Sequence, residues 1–247
     1  MFKKILLSVV LVLLAATALY FFTEKKKVYH VSILSGLDLF APIADSFKEE
    51  MTRLGYVEGR DIVYDLQKTN FEPEKEKQIL KKFVTDGTDL ILAYNTEVAL
   101  EAKKATQGTN IPLVFANTFT EGNDIINTVV APGGNITGVR YPGTDVAVRR
   151  LEILHKLAPK AKRIWLPYQK GYPAVPAELD VVRPAAERLN LTLIEFPAEN
   201  VAALRTELER RQKSGNLGFD AVLFNPESLS TTKAAFETII SFTKSKK

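Results

Sequence analysis

The sequence predicts an α/β fold in two Rossmann-like lobes, each a parallel sheet flanked by helices. β-Branched or apolar runs alternate with helical stripes at regular spacing along the chain. Two of the runs, Asp89–Ala93 and Ile111–Ala116, are apolar almost throughout, as in a strand buried on both faces. A turn-rich stretch from Ala131 to Gly143 divides the series in two.

The first series opens at Val28–Leu34, whose alternation V-Y-H-V-S-I-L reads as a strand. Phe40–Leu54 sets Phe40, Ile43, Phe47, Met51 and Leu54 on one helical stripe, with Pro42 in the first turn, where its missing N–H has no intrahelical partner to lose. Gly55 ends that helix, and Gly59 turns the chain into a strand at Asp61–Leu66. Glu74–Asp86 is the next helix, with Ile79, Leu80, Phe83 and Val84 inward. Strand Asp89–Ala93, helix Glu97–Gln107 and strand Ile111–Ala116 follow. Right-handed crossovers then make the sheet parallel. The connection through Pro132-Gly133-Gly134 and Tyr141-Pro142-Gly143 divides a first lobe, 28–140, from a second, 141–247. The second series reads as helix Asp145–Leu157, strand Lys162–Pro167, helix Pro176–Leu189, strand Leu191–Phe196, helix Val201–Ser214, strand Phe219–Phe224 and helix Thr231–Thr243. Pro184 lacks a backbone donor and is predicted to kink or restart its helix.

Residues 1–27 form a leader. Lys3 and Lys4 precede 18 residues, Ile5 to Phe22, in which only Ser8 and Thr17 are polar. Ala16-Thr17-Ala18 supplies the small residues of a cleavage site, yet Leu19-Tyr20-Phe21-Phe22 extends the run to bilayer-spanning length. An uncleaved signal anchor, held in the membrane through residues 5–22, and a cleaved export signal both fit. Either places the rest of the chain outside the cytoplasm, in the periplasm or at the cell surface.

The formal charge of +4 belongs to this leader, which carries five lysines and Glu24. From residue 28 onward 28 basic residues face 28 acidic ones, so no basic groove for nucleic acid is expected. The chain has no Cys, which excludes disulfides, thiolate metal sites and a Cys nucleophile. Its two His leave little for a metal centre: His30 falls within a strand, and His155 beside charged residues on a helix face. Glu49-Glu50 and Glu72, Glu74 and Glu76 read as exposed helix charges. Neither a glycine-rich dinucleotide loop, nor a phosphate loop, nor a Gly-x-Ser-x-Gly elbow is present. No catalytic residue, metal or cofactor is therefore assigned, and a small α/β transferase is disfavoured.

Ligands of open parallel sheets sit at the carboxyl ends of the strands. The candidate binding residues there are Ser35, Leu37, Asp38, Asn95, Thr96, Asn117, Thr118, Phe119, Tyr168, Tyr172, Asn225, Glu227 and Ser228. Tyr94, Phe119, Tyr168 and Tyr172 would suit a ligand with a ring if they converged on one cleft, although each singly fits core packing. Glu227 fits both an acid facing a ligand ammonium and a helix cap.

Four segments carry a resemblance: Leu54-Gly55-Tyr56-Val57-Glu58-Gly59-Arg60-Asp61-Ile62, Asp89–Ala93, Ile111–Ala116 and Pro132-Gly133-Gly134-Asn135-Ile136-Thr137-Gly138-Val139. In this order and spacing, over about residues 28–240, the chain resembles the ABC-transporter substrate-binding proteins of the type I periplasmic-binding-protein fold, among them tryptophan- and tyrosine-binding members. The resemblance implies capture of a small solute, such as an aromatic amino acid, between two lobes and delivery to an ABC permease with its ATPase. It also implies ligand contacts at Thr96, Thr118 and Glu227-Ser228, and a second lobe that is incomplete at Lys247, with an exposed sheet edge. The competing expectation is a membrane-anchored sensory or interaction module that keeps the fold without transport.

Overall fold

Parallel pairing organises the chain around two sheets in the computed structural model, which describes residues 27–36, 41–70 and 72–244. The first sheet has the order β2-β1-β3-β4-β5, from β1 (Tyr29–Ser35), β2 (Ile62–Lys68), β3 (Leu90–Tyr94), β4 (Leu113–Thr118) and β5 (Ile136–Arg140). Every neighbouring pair is parallel. Helices α1 (Ala41–Arg53), α2 (Pro73–Thr85) and α3 (Thr96–Ala105) make the crossovers. One face of the sheet packs Val31, Ile33, Ile62, Leu92 and Tyr94 with Ala44 of α1. The other packs Leu34, Ile91, Leu113 and Phe115 with Leu80 and Phe83 of α2 and Val98 of α3.

The second sheet, β7-β6-β8, consists of β6 (Arg163–Gln169), β7 (Thr192–Ala198) and β8 (Ala221–Val222), again parallel. Its helices are α4 (Gly143–Leu157), α5 (Val175–Arg188), α6 (Val201–Lys213), the single turn α7 (Ser228–Thr231) and α8 (Lys233–Lys244). Trp165 anchors one face, stacked on Phe219 with ring centroids 5.2 Å apart. The other face gathers Ile164, Leu166, Leu151 and the buried stripe of α5. Asp220 fastens β8 to β6, its carboxylate accepting from the Lys162 and Arg163 amides at 2.9 and 2.8 Å and from the Arg163 guanidinium at 2.7 Å.

Several expectations are corrected. Part of the turn-rich stretch 131–143 is strand β5, which pairs in parallel with β4. Gly138 hides the strand pattern because the site admits no side chain: a Cβ there would lie 2.1 Å from the Phe115 carbonyl oxygen. The strand expected over Phe219–Phe224 contracts to Ala221–Val222, while the last helix forms as α8, preceded by the unexpected single turn α7. Helix α5 continues through Pro184, because Leu179, Val182, Ala185 and Ala186 are buried along it and packing outweighs the lost donor. Glu76 is buried rather than exposed, accepting a 2.9 Å hydrogen bond from the Thr69 hydroxyl. Burial raises its pKa. The leader segment 5–22 lies outside the described residues. Among the described residues, no helix is long and apolar enough to cross a membrane.

At the free side of β8, a groove of about 480 Å³ runs between α4 and α8, lined by Ile153, Leu157, Val222, Phe224 and Phe236. Leu157 is 80% exposed. Among the described residues, β8 pairs with β6 alone.

Candidate functional site

Four loops from the carboxyl ends of strands on both sheets meet at one point. Thr96, first residue of α3 after β3, is fully buried. Its hydroxyl oxygen accepts the Phe119 N–H at 3.1 Å, and the same hydroxyl stabilises the ionised form of Tyr172. Phe119 follows β4 yet packs in the hydrophobic core of the second sheet. Its ring lies 5.0 Å from Tyr141 and 6.1 Å, edge-on, from Tyr172. Gly143, the start of α4, has to be a glycine here, since a Cβ would sit 2.1 Å from Phe119 Cε1.

The charges are mostly acidic. Glu227 precedes α7 and is 2% exposed. Both its carboxylate oxygens accept from the Ser230 N–H at 3.2 Å, and the Ser230 hydroxyl donates to it as well. Burial raises its pKa against the pull of these donors. Glu178, in the first turn of α5, is 1% exposed, and its Oε1 has no hydrogen-bond partner. Burial pushes this carboxyl up to about 8; Arg150 draws it down, and the charges of Glu227 and Glu121 push it further up. Of the two nearby bases, Arg140 pairs with Glu121, and Arg150 donates to the Tyr141 hydroxyl at 3.2 Å. The Tyr172 phenol is held far above its usual range by burial and by Glu97, Glu227 and Glu178.

Of the residues chosen from sequence, Thr96, Phe119, Tyr172 and Glu227 come together here. Asn95 stands at the N-cap of α3 with φ +66°; its Nδ2 donates to Glu97 at 2.9 Å, while its buried Oδ1 has no partner. Asn117 takes φ +53° where the β4–β5 register shifts, and Thr118 turns its hydroxyl back to the Ala116 carbonyl at 3.2 Å. Ser35 closes β1, its carbonyl accepting the Thr69 N–H at 3.1 Å. Asn225 borders the groove beside β8, and Ser228 opens α7. Leu37 and Asp38 lie outside the described residues.

Two of the four aromatics are corrected. Tyr94 is wholly buried in the core of the first sheet. Tyr168 directs its hydroxyl to Glu195 at 3.4 Å, on the carboxylate that Arg183 grips at 2.8 and 2.9 Å. Tyr141, Gly143 and Glu178 were missed. Glu178 had a signal: with Val175, Val182 and Ala185 it occupies the apolar stripe of its helix, where a carboxyl is out of place. Among the described residues, no group of three or more His, Asp or Glu could hold a metal ion.

Residues 30–247 match the family described as ABC transporter substrate binding protein. The chain belongs to that family. It is 31% identical over 143 residues to a tyrosine-binding protein of Clostridioides difficile (strain R20291), an alignment covering 57% of this chain and 40% of the relative. The match thus spans less than half the length of that curated relative. Among solved structures, the chain resembles an ABC domain from Streptococcus pneumonia in complex with L-Trp, with TM-score 0.76 and 20% identity over 89% of this chain and 72% of the other. It also resembles a ligand-free, open substrate-binding protein with adhesive properties from Clostridium difficile, with TM-score 0.59 and 20% identity over 87% of this chain and 72% of the other. The likeness extends to the fold of two parallel α/β units in this substrate-binding family chain.

Proposed function

We propose that this chain is the extracytoplasmic solute-binding component of an ABC importer and captures an aromatic amino acid between its two α/β units. The observation that carries the reading is the meeting of Thr96, Phe119, Tyr172 and Glu227 from the carboxyl ends of strands on two sheets. Ligands of open parallel sheets bind at that end. The rings of Phe119, Tyr141 and Tyr172 suit an aromatic side chain, and the buried acids suit an ammonium group. The N-terminus of α3, at the end of β3, suits a carboxylate through its helix dipole. Family membership favours capture over catalysis. The ligands named for two relatives, tyrosine and L-Trp, favour an aromatic solute. The leader exports the chain, as a cleaved signal or as an anchor, and an ABC permease with its ATPase receives the ligand.

Thermal-shift measurement of the full chain against the twenty amino acids tests this. Tyrosine or tryptophan at a hundredfold excess over Kd is expected to raise Tm by roughly 5–10 °C. No shift with any of the twenty overturns the reading and leaves an anchored sensory or interaction module in its place.

A further inference from the structure

We propose that Glu178, rather than Glu227, receives the ammonium group of the bound ligand, with Glu227 serving as the cap of α7. The inference rests on the amino-acid reading and assigns a specificity-determining residue within it. Glu227 already has donors: both of its oxygens share the Ser230 N–H, and one also accepts from the Ser230 hydroxyl. Glu178 is as deeply buried, at 1% exposed, and its Oε1 accepts from nothing. A buried acceptor without a donor is costly, and a ligand ammonium supplies the missing donor together with a compensating charge.

Position supports the assignment. Oε1 of Glu178 lies 3.3 Å from where a Cβ of Gly143 would stand, so the carboxyl faces the start of α4. The groups facing it are Arg150 from α4, Glu121 after β4, Glu227 before α7 and Tyr172 before α5. Three of these are acidic or phenolic, and the Arg150 guanidinium also binds Tyr141. Two carboxyl groups and a phenol thus surround Glu178 together with one guanidinium. In the ligand-free protein at pH 7 the Glu178 carboxyl, raised to about 8, keeps its proton. When the ammonium binds, the carboxyl ionises and that proton leaves to the buffer, so the ligand gains a charge-assisted hydrogen bond.

The test is calorimetric titration of the full chain with L-tyrosine and L-tryptophan at pH 7, in two buffers of different ionisation enthalpy. Wild type is expected to release close to one proton per ligand bound. Glu178→Gln is expected to weaken binding at least tenfold and to abolish proton release, while thermal unfolding remains cooperative. Glu227→Gln is expected to lower Tm yet retain proton release. Indole-3-propionate, which lacks the ammonium, should bind wild type and Glu178→Gln within threefold of one another. Unchanged affinity and proton release in Glu178→Gln overturns the proposal, as does proton release lost only in Glu227→Gln. If neither amino acid binds wild type, tyramine and tryptamine are titrated instead. Amine binding that depends on Glu178 upholds this assignment and sinks the amino-acid reading, whereas no binding sinks both.

Discussion

Glu178 and Glu227 bring the same carboxyl group to the same junction and meet different surroundings, so titration distinguishes them. Glu227 has amide and hydroxyl donors, and Glu178 Oε1 has none. The sign of the Glu178 effect follows from linkage. Its carboxyl is raised from 4.5 to about 8 in the folded chain, so between those pH values the unfolded chain has lost a proton that the folded chain keeps. Raising pH through that window therefore draws the equilibrium toward unfolding, and the contribution is fully favourable only below about 4.5. The Tm of wild type is expected to fall between pH 5 and pH 8 more steeply than that of Glu178→Gln. Calorimetric scans at pH 5, 6.5 and 8 decide it, and parallel curves for the two proteins refute the assignment of a buried, proton-retaining carboxyl. Gly143 supports a second expectation at this scale. Ala at 143 would drive a methyl into Phe119, destabilising the fold by about 1–3 kcal/mol, measurable as a lower urea midpoint with unchanged slope.

Among the elements, β8 depends most on one side chain. Two residues of strand give little ladder, and Asp220 supplies the rest by accepting the Lys162 and Arg163 amides at the start of β6 and the Arg163 guanidinium. These donors hold its carboxylate well below the usual range. Here the sign is reversed: the stabilisation is present above the ordinary Asp pKa and disappears as pH falls through the lowered folded value. Asp220→Asn is expected to lower Tm at pH 7 by roughly 3–6 °C and to lose that deficit toward pH 2. A deficit that persists undiminished in acid would show that packing, not the ionised carboxylate, holds β8. The same element marks where sequence reading stops. Long apolar runs such as Ile111–Ala116 announce β4 because burial on both faces leaves a continuous local pattern. β5 leaves no such pattern, because Gly138 answers to the Phe115 carbonyl of another strand. Asp220 is equally silent, since its partners are 57 and 58 residues away. At the site, Thr96 and Glu227 could be placed because strand ends are recognisable, whereas the turning of Tyr168 toward Glu195 depends on a neighbouring strand and on α5.

The whole molecule poses the question of how two sheets act as one body. Phe119 leaves the first sheet and enters the core of the second, where it meets Tyr141 and Tyr172. Nearby, Gly122 lies so close to the carbonyl of Pro173 that a Cβ would reach it at 3.0 Å. Coupling of this kind makes unfolding cooperative across both units, because neither can lose its structure without exposing the shared cluster. Phe119→Ala removes the largest piece of that cluster and should cost about 3–5 kcal/mol. It should also separate the two units. Trp165, the single tryptophan, is buried on the far face of the second sheet and reports that unit alone, while far-UV circular dichroism reports both. In wild type the two urea transitions are expected to coincide. In Phe119→Ala the Trp165 transition should move to lower urea than the dichroism midpoint, since the three-stranded unit loses a core residue that the five-stranded unit does not share. Coincident transitions in the variant would mean that the units are coupled by other contacts, such as the approach of Gly122 to Pro173, rather than by this ring.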